Sequence, residues 1–309
     1  MGVAAIDIGT NTVLLLVAER TADGALRAVE ERATIVRLGE GVDKTHRLSG
    51  AAVERTRKCL EEYAVAVARF DVERIAVVGT SAMRDAAGAE EVIAIVKNLF
   101  NVDAQIIGGD EEAQLTFRGA LSGLSTSDAD GRVAVFDVGG GSTEVVIGCL
   151  TERGPEIDFA ESYDVGSVRL TERIVRSDPP SHAEIQEMSE YVRRVFERIP
   201  PLPVRTSIPI GIAGTVTTLM AVSMSLAEYD GSVVHGRLMS RDSLRHVVSD
   251  LASVDLNARR RRAGLAPGRA DVIVAGGLVV LELLAHWGAS EMRVSDRGVR
   301  WGLAEGLAK

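Results

Sequence analysis

AVFDVGGGSTEVVIG, residues 134–148, decides how the rest of the chain is read. The β-branched and aromatic run Val133–Val138 predicts a strand, and the apolar run Val145–Ile147 predicts a second one leaving Glu144. Gly139, Gly140, Gly141, Ser142 and Thr143 make the turn between them. Such glycines can take positive φ and present bare N–H groups, so that a phosphate can approach the backbone with no Cβ in the way. Asp137 and Glu144 flank the turn and would repel that phosphate unless a cation lay between them. A hard cation with oxygen ligands, Mg2+ (or Mn2+), resolves the conflict because carboxylates and phosphate oxygens share it. The turn is not a Walker A loop, since no Gly-Lys-Ser/Thr follows, and it is not a dinucleotide fingerprint, since no glycine stands three residues beyond Gly141 and no helical pattern follows directly. Taken alone, a glycine-rich hairpin is most often only a hairpin.

A second copy changes that weighting. AAIDIGTNTVLLLVA, residues 4–18, repeats the order apolar strand, Asp7, Gly9, a small polar turn of Thr10 and Asn11, apolar strand. Asp7 and Asp137 stand 130 residues apart, which predicts two halves of one duplicated architecture.

The 309 residues suit one large or two medium domains, and 46% hydrophobic content supplies a core built mostly from Val, Leu, Ile and Ala, because aromatics are only 4%. Cys59 and Cys149 are the only cysteines and lack metal-site spacing, which points to a reducing compartment rather than zinc or a disulfide framework. No basic segment precedes the first apolar run, so no signal peptide is expected. The longest apolar stretch, 272–289, contains Glu282 and His286 and reads as a buried helix rather than a membrane span. The expectation is a soluble cytoplasmic chain with no membrane partner. A net charge of −9 speaks against nucleic-acid binding, and any polyanionic substrate must be drawn in by local positive charge.

Residues 26–38 predict a third strand, and Ser49 caps a long amphipathic helix reaching about Phe70. A buried strand at 74–80 runs into GTSAMRDA, residues 79–86; loops after strand carboxyl ends are where α/β sheets bind ligands, so Ser81 and Arg84 are phosphate candidates. An ion pair near Asp85 is an equally good reading of Arg84. In GGDEEAQLTFRGAL, residues 108–121, Asp110 is the expected N-cap, and Glu111 and Glu112 fall in a first helical turn whose dipole favours carboxylates without any catalysis. The polar stretch 125–131 is the expected domain boundary.

The second half adds a strand near 157–163, helices near 168–175 and 183–198, and a rigid connector carrying Pro200, Pro201 and Pro203. A strand ending near Ala213 runs into GIAGTVTTL, residues 211–219, where Gly214 and Thr215 open a helix and offer another N–H cradle. The basic run Arg259, Arg260, Arg261 and Arg262 is either a solvated helix face or a guide for a polyanion. Arg269 is expected to pair with Asp271 or Glu282, Pro267 to stand at a helix entry, and residues 295–309 to form the last helix.

The two Asp-Gly hairpins, GTSAMRDA, the EEA helix start, IAGTVTTL and GLAPGRADVIVAGG occur in order over nearly the whole chain. Each is weak alone, but the ordered set resembles the exopolyphosphatase and guanosine pentaphosphate phosphatase family, in its short two-domain, actinobacterial-type form. The resemblance implies an α/β fold of two actin-like (ribonuclease H-like) domains with an interdomain active-site cleft: residues 1–124, completed by the C-terminal helix at about 297–309, and residues 125–296. It implies Glu112 as the general base for the attacking water, Asp137 and Glu144 as Mg2+ ligands, and Gly139–Thr143 as the phosphate cradle. It further implies that Arg84 grips terminal phosphates, that Asp7, Thr10 and Asn11 form the first phosphate loop, and that Gly214 and Thr215 form another. The implied substrate is inorganic polyphosphate, with guanosine pentaphosphate (pppGpp) the alternative, and a homodimer is common in the family. An actin-like nucleotide-binding switch or assembly protein, and a sugar or acetate kinase, are the readings from other classes. Glu112 beside the metal acids disfavours the switch, and the lack of recognisable acceptor-binding residues disfavours the kinase.

Overall fold

A computed structural model of the chain describes residues 2–22, 24–122, 131–151, 154–202 and 208–308. The protein is α/β, with one five-stranded and one six-stranded sheet. Contacts divide it into two compact units, Met1–Ser122 with Val299–Lys309, and Gly123–Gly298. Of the expected boundary stretch 125–131 only Gly131 lies within the described residues, and Pro203 of the proline connector lies outside them. No helix among the described residues is long and apolar enough to cross a membrane.

In the first unit the strands are β1 (Gly2–Ile8), β2 (Thr12–Arg20), β3 (Leu26–Ile35), β4 (Val72–Gly79) and β5 (Gln105–Ile106), in the order β3-β2-β1-β4-β5. β1, β2 and β3 are antiparallel, while β4 runs parallel to β1, and β5 to β4. β1 is buried throughout because both faces are covered. Ala4, Ile6 and Ile8 pack with Leu60 and Tyr63 of helix Gly50–Val67, and Val3 and Ala5 pack with Trp301 and Ala304 of helix Val299–Leu307. That alternation is the period of two a strand imposes on its side chains. Ser49 caps helix Gly50–Val67 as expected, accepting from Ala52 N at 3.2 Å.

Helix Val299–Leu307 also packs on helix Gly109–Leu121, and the contact is set by one glycine. A Cβ on Gly302 would lie 2.1 Å from the carbonyl oxygen of Leu115, a backbone atom that cannot move aside. Overpacking of this kind costs about 1–3 kcal/mol. Gly302→Ala is therefore expected to lower the thermal midpoint by several degrees, read by calorimetry. An unchanged midpoint would contradict the packing described.

In the second unit the strands are β6 (Arg132–Val138), β7 (Thr143–Thr151), β8 (Gly154–Tyr163), β9 (Ile210–Ile212), β10 (Leu238–Ser240) and β11 (Glu291–Val294), in the order β10-β11-β9-β6-β7-β8. β9 is parallel to β6 and β11 to β9, with β10 an antiparallel edge. The core is centred on helix Ile273–His286, whose Ile273–Val280 stretch is entirely buried, with Trp287 edge-on to Phe136 at 5.9 Å.

With β10 set aside, the second sheet repeats the first: β8-β7-β6-β9-β11 corresponds to β3-β2-β1-β4-β5, strand for strand and direction for direction. The repetition extends to the first loop. Gly9 N donates to Thr12 O at 3.1 Å and Gly139 N to Ser142 O at 3.0 Å. Both partners keep the 130-residue offset of Asp7 and Asp137. The duplication read from the two hairpins is thus a property of whole domains.

Three local expectations change. Helix Gly109–Leu121 begins beyond Gly108, whose backbone is extended, so Asp110 lies inside the first turn and is not the cap. Residues 291–294 are strand β11, and Ser295 continues its ladder by donating to Gly211 O at 2.9 Å, so the last helix starts only at Val299. Gly139, Gly140 and Gly141 do not adopt positive φ. Their value lies elsewhere, in the close contacts described next.

Candidate active site

In the second unit the glycine loop between β6 and β7 is fastened from one side. Gly139 O accepts from Ser167 N at 2.9 Å and from Ser167 Oγ at 3.2 Å. Gly140 O accepts from Val168 N at 2.8 Å and Arg169 N at 3.1 Å, and Gly141 O accepts from Arg169 Nε at 2.7 Å. These donors come from the first turn of helix Ser167–Ile174, whose leading N–H groups have no partner within their own helix. The approach requires glycine at 166, where a Cβ would lie 2.6 Å from the Gly140 carbonyl. Carbonyl and following N–H point opposite ways across a trans peptide. With three carbonyls turned to the helix, the N–H groups of Gly140, Gly141 and Ser142 turn the other way, and they have no acceptor among the described residues. Unpaired peptide N–H groups side by side are an anion site. Thr143 closes the loop, its buried hydroxyl donating to Val165 O at 2.5 Å.

Beside this cradle stand the two acids. Asp137 and Glu144 are directly opposed in the β6–β7 ladder, so their side chains leave the same face of the sheet. Opposed Cβ atoms lie about 4.5–5.5 Å apart, and like charges there are destabilising. Glu144 is 1% exposed, with Ser162 Oγ donating to its Oε1 at 2.7 Å. In the first unit the residue opposed to Asp7 is Leu14. Only the second copy thus carries a carboxylate pair, and that pair fits a divalent cation. Among the described residues no group of three or more His, Cys, Asp or Glu side chains is arranged to hold a metal. An ion that completes its shell with water and substrate phosphate needs only one or two carboxylates from the protein.

After β9, helix Ala213–Ser223 opens with Ala213 at φ 67°, a left-handed conformation that costs a non-glycine residue about 1–2 kcal/mol. The turn brings Gly214 under Arg269, where a Cβ on Gly214 would fall 2.2 Å from the guanidinium. Burial pushes the Arg269 pKa down to about 10, which still leaves it charged at neutrality. The expected pairing of Arg269 with Glu282 does not occur, because Glu282 accepts from Arg193 at 2.8 Å. Thr215 is buried, and Gly276 lets helix Ile273–His286 approach it: a Cβ there would lie 2.6 Å from Thr215 Cγ2 and 3.1 Å from Ser167 Cβ.

The first unit holds its own loop differently. Thr10 O accepts from Gly39 N at 2.8 Å, and Asn11 O accepts from Val36 N and Arg37 N, both at 3.0 Å. Glycine at 39 is required, since a Cβ would sit 2.3 Å from Thr10 Cγ2. Asp7, Thr10 and Asn11 are all buried, and Asn11 Nδ2 has no hydrogen-bond partner among the described residues. A buried donor without an acceptor costs about 1–3 kcal/mol, so an amide held in this way suits a ligand oxygen.

Beyond β4, Ser81 donates to Asp85 Oδ2 at 3.2 Å, and Arg84 Nε lies 3.7 Å from Asp85 Oδ1. The ion pair near Asp85 is thus present. The same guanidinium also donates from NH1 to Glu112 Oε2 and to Ile107 O, each at 3.1 Å. Glu112 is 6% exposed, which the helix dipole alone does not require of it. The structure brings Arg84 and Glu112 together, a pairing the sequence did not suggest.

The basic run divides. Arg259 is 3% exposed and bound to Asp178, and Arg262 pairs with Asp250 at 2.8 Å, so these two serve the fold. Arg260 and Arg261 are exposed. Gly264 packs against the backbone of Ala221, toward the far end of the eleven-residue helix that Ala213 and Gly214 begin, which is about 16 Å long. Arg259→Ala is expected to cost about 1–2 kcal/mol in denaturant unfolding, moderated by the half-exposed Asp178. A loss below the resolution of the melt would show that the pair contributes nothing.

The residues missed in the sequence reading are Val36–Gly39, Gly166, Ser167 and Arg169, which hold the loops, and Arg269. Their sequence signal was thin: glycine at 39 and 166 just after a strand end, with no periodicity around either.

Comparison with known proteins gives a consistent set. The family model described as the Ppx/GppA phosphatase family matches residues 16–309. The chain is 38% identical to exopolyphosphatase 2 of Mycobacterium tuberculosis, over 99% of this chain and 98% of that protein. It is 28% identical to a guanosine-5'-triphosphate,3'-diphosphate pyrophosphatase of Aeromonas hydrophila, over 98% of this chain but 59% of that protein. Among solved structures, an exopolyphosphatase-like protein superposes with TM-score 0.91 at 34% identity, covering 99% of this chain and 97% of the other. The PPX-GPPA enzyme of Aquifex aeolicus gives TM-score 0.82 at 32% identity, covering 99% of each chain.

Proposed function

Because the chain belongs to the Ppx/GppA phosphatase family, we propose that it is an exopolyphosphatase, hydrolysing the terminal phosphoanhydride of inorganic polyphosphate to release orthophosphate. The observation that supports this most is the second-unit hairpin, where unpaired N–H groups for phosphate stand beside the directly opposed acids Asp137 and Glu144. Asp137 and Glu144 would hold Mg2+ (or Mn2+), which when bound neutralises charge on the phosphate oxygens. Glu112 takes the proton of the attacking water. Arg84 orients Glu112 and meets the terminal phosphate, and the loops at Asp7–Asn11, Gly139–Thr143 and Gly214–Thr215 receive phosphate oxygens. A loose phosphoryl-transfer transition state asks for this kind of help, positioning and charge neutralisation without a covalent nucleophile. Work in the cytoplasm, where polyphosphate is available as substrate, fits the reading.

The Aeromonas relative favours one second reading, pppGpp 5'-phosphatase activity at the same site. Phosphate release from long polyphosphate, tripolyphosphate and pppGpp at matched concentration, with and without Mg2+, tests both. Mg2+-dependent release fastest from polyphosphate is the expected result. Release from pppGpp alone would replace the substrate, and release from none would overturn the proposal. If Arg260 and Arg261 guide long chains, reversing both charges should raise KM for long polyphosphate several-fold and leave tripolyphosphate unaffected. Equal effects on both substrates would remove that role.

A further inference from the structure

The two loops of the duplicated architecture are held by different chemistry, and the difference centres on Arg169, because Ser167 Oγ only adds to a bond that the Ser167 N–H already makes to Gly139 O. In the first unit both loop carbonyls, of Thr10 and Asn11, are held by backbone N–H groups of Val36, Arg37 and Gly39. Many residue types could supply those bonds. In the second unit the carbonyls of Gly139 and Gly140 are likewise held by backbone N–H groups, those of Ser167, Val168 and Arg169. The next amide, Leu170 N, is already committed to Gly166 O at 2.9 Å as the helix begins. For the third carbonyl, of Gly141, the helix has no amide left, and Arg169 Nε takes its place at 2.7 Å.

We propose that Arg169 is a positioning residue: it sets the Gly141–Ser142 peptide so that Ser142 N–H faces the phosphate, and so completes the cradle that two backbone-held peptides begin. This rests on the phosphatase reading above. Several observations support it beyond the single bond. Arg169 is 17% exposed as a side chain, so its guanidinium is held among protein atoms. Ser142 is 2% exposed, so without this bond its peptide would turn inside protein, with no water to replace the lost acceptor contact. Glycine on the carbonyl side of that peptide makes the turn easy, because its backbone meets little steric resistance. A flexible peptide that must present a fixed N–H requires an external hold. The positive charge behind the loop also favours an anion in front of it.

Fixed donors act most where charge builds up in the transition state, so the effect belongs in kcat rather than in KM. Arg169→Met, which keeps the apolar stem and removes the donor, is expected to lower kcat on polyphosphate about tenfold with KM changed less than threefold. Guanidinium ion at millimolar concentration is expected to restore Arg169→Ala at least threefold, a rescue that loss of packing alone would not show. Should either variant fail to fold, Arg169→Lys keeps a donor and a charge, and its kcat is expected within threefold of the wild type. A folded Arg169→Met with kcat within twofold of wild type, an Arg169→Ala not rescued by guanidinium, or an Arg169→Lys with kcat reduced tenfold or more, would each overturn the assignment. Calorimetric binding of inorganic phosphate to the same proteins separates this from the reading beneath it. Wild-type protein that binds phosphate but releases none from polyphosphate would defeat the hydrolytic reading. The cradle role would then stand or fall on whether Arg169→Met weakens phosphate binding at least threefold.

Discussion

Glu112→Gln is expected to lower kcat on polyphosphate about 10²- to 10⁴-fold, the range a positioned general base supplies. That is roughly 3–5 kcal/mol of barrier. KM should stay within threefold, because the carboxylate meets the water rather than the chain. Glutamine keeps the length of the side chain and an oxygen for Arg84 NH1, which approaches Glu112 Oε2 at 3.1 Å, so the helix start should survive. Steady-state kinetics with direct measurement of polyphosphate binding reads both quantities. A residue present only for the helix dipole and the Arg84 ion pair would lose stability instead. In that case kcat would stay within twofold while the melting temperature fell, and the base would have to be sought elsewhere.

The second large effect concerns the acid pair, and its sign reverses between two measurements. Glu144→Gln removes one of two carboxylates opposed across the ladder, one of them 1% exposed. Without divalent cation no metal offsets that repulsion, so the variant should be more stable than the wild type in chelator, by about 0.2–1 kcal/mol. With Mg2+ present, activity should fall at least a hundredfold at the wild-type optimum and recover in part as Mg2+ is raised. Asp137→Asn should behave in the same way. Thermal melts in chelator and Mg2+ titrations of initial rate measure the two arms. Variants destabilised in chelator, or retaining full activity at low Mg2+, would show that the pair holds no cation. Leu14, at the equivalent place in the first unit, offers a control: Leu14→Gln should leave the Mg2+ dependence unchanged.

What could be read without coordinates was what repeats or alternates. The Asp-x-Gly hairpins announced themselves twice at a fixed offset, and each lay between strands long enough to show their period. Ser49 could be placed as a cap because capping is local; the complete capping box of Ser181 and Glu184 went unread. β10 and β11 escaped, being three and four residues long and thus too short for alternation to show. The supports of both loops escaped for another reason. Val36–Gly39 and Ser167–Arg169 act largely through backbone N–H groups across many residues of sequence, and a backbone donor leaves no mark on residue type. Of the two grounds for reading the glycines at 139–141 as a cradle, positive φ is not met, while the lack of a Cβ matters at 139 within the loop itself, since a Cβ there would lie 3.2 Å from Ser142 O. The arginine run at 259–262 misled because composition cannot separate a buried Arg259 from its exposed neighbours. In each case the missing information was a long-range partner.

Hydrolysis of long polyphosphate in ¹⁸O-enriched water, with mass analysis of both products, tests the central claim most directly. Water attack on the terminal phosphorus predicts one solvent oxygen in each released orthophosphate, none in the shortened chain, and no release once the divalent cation is chelated. Solvent oxygen in the chain, or orthophosphate released at full rate in chelator, would contradict it.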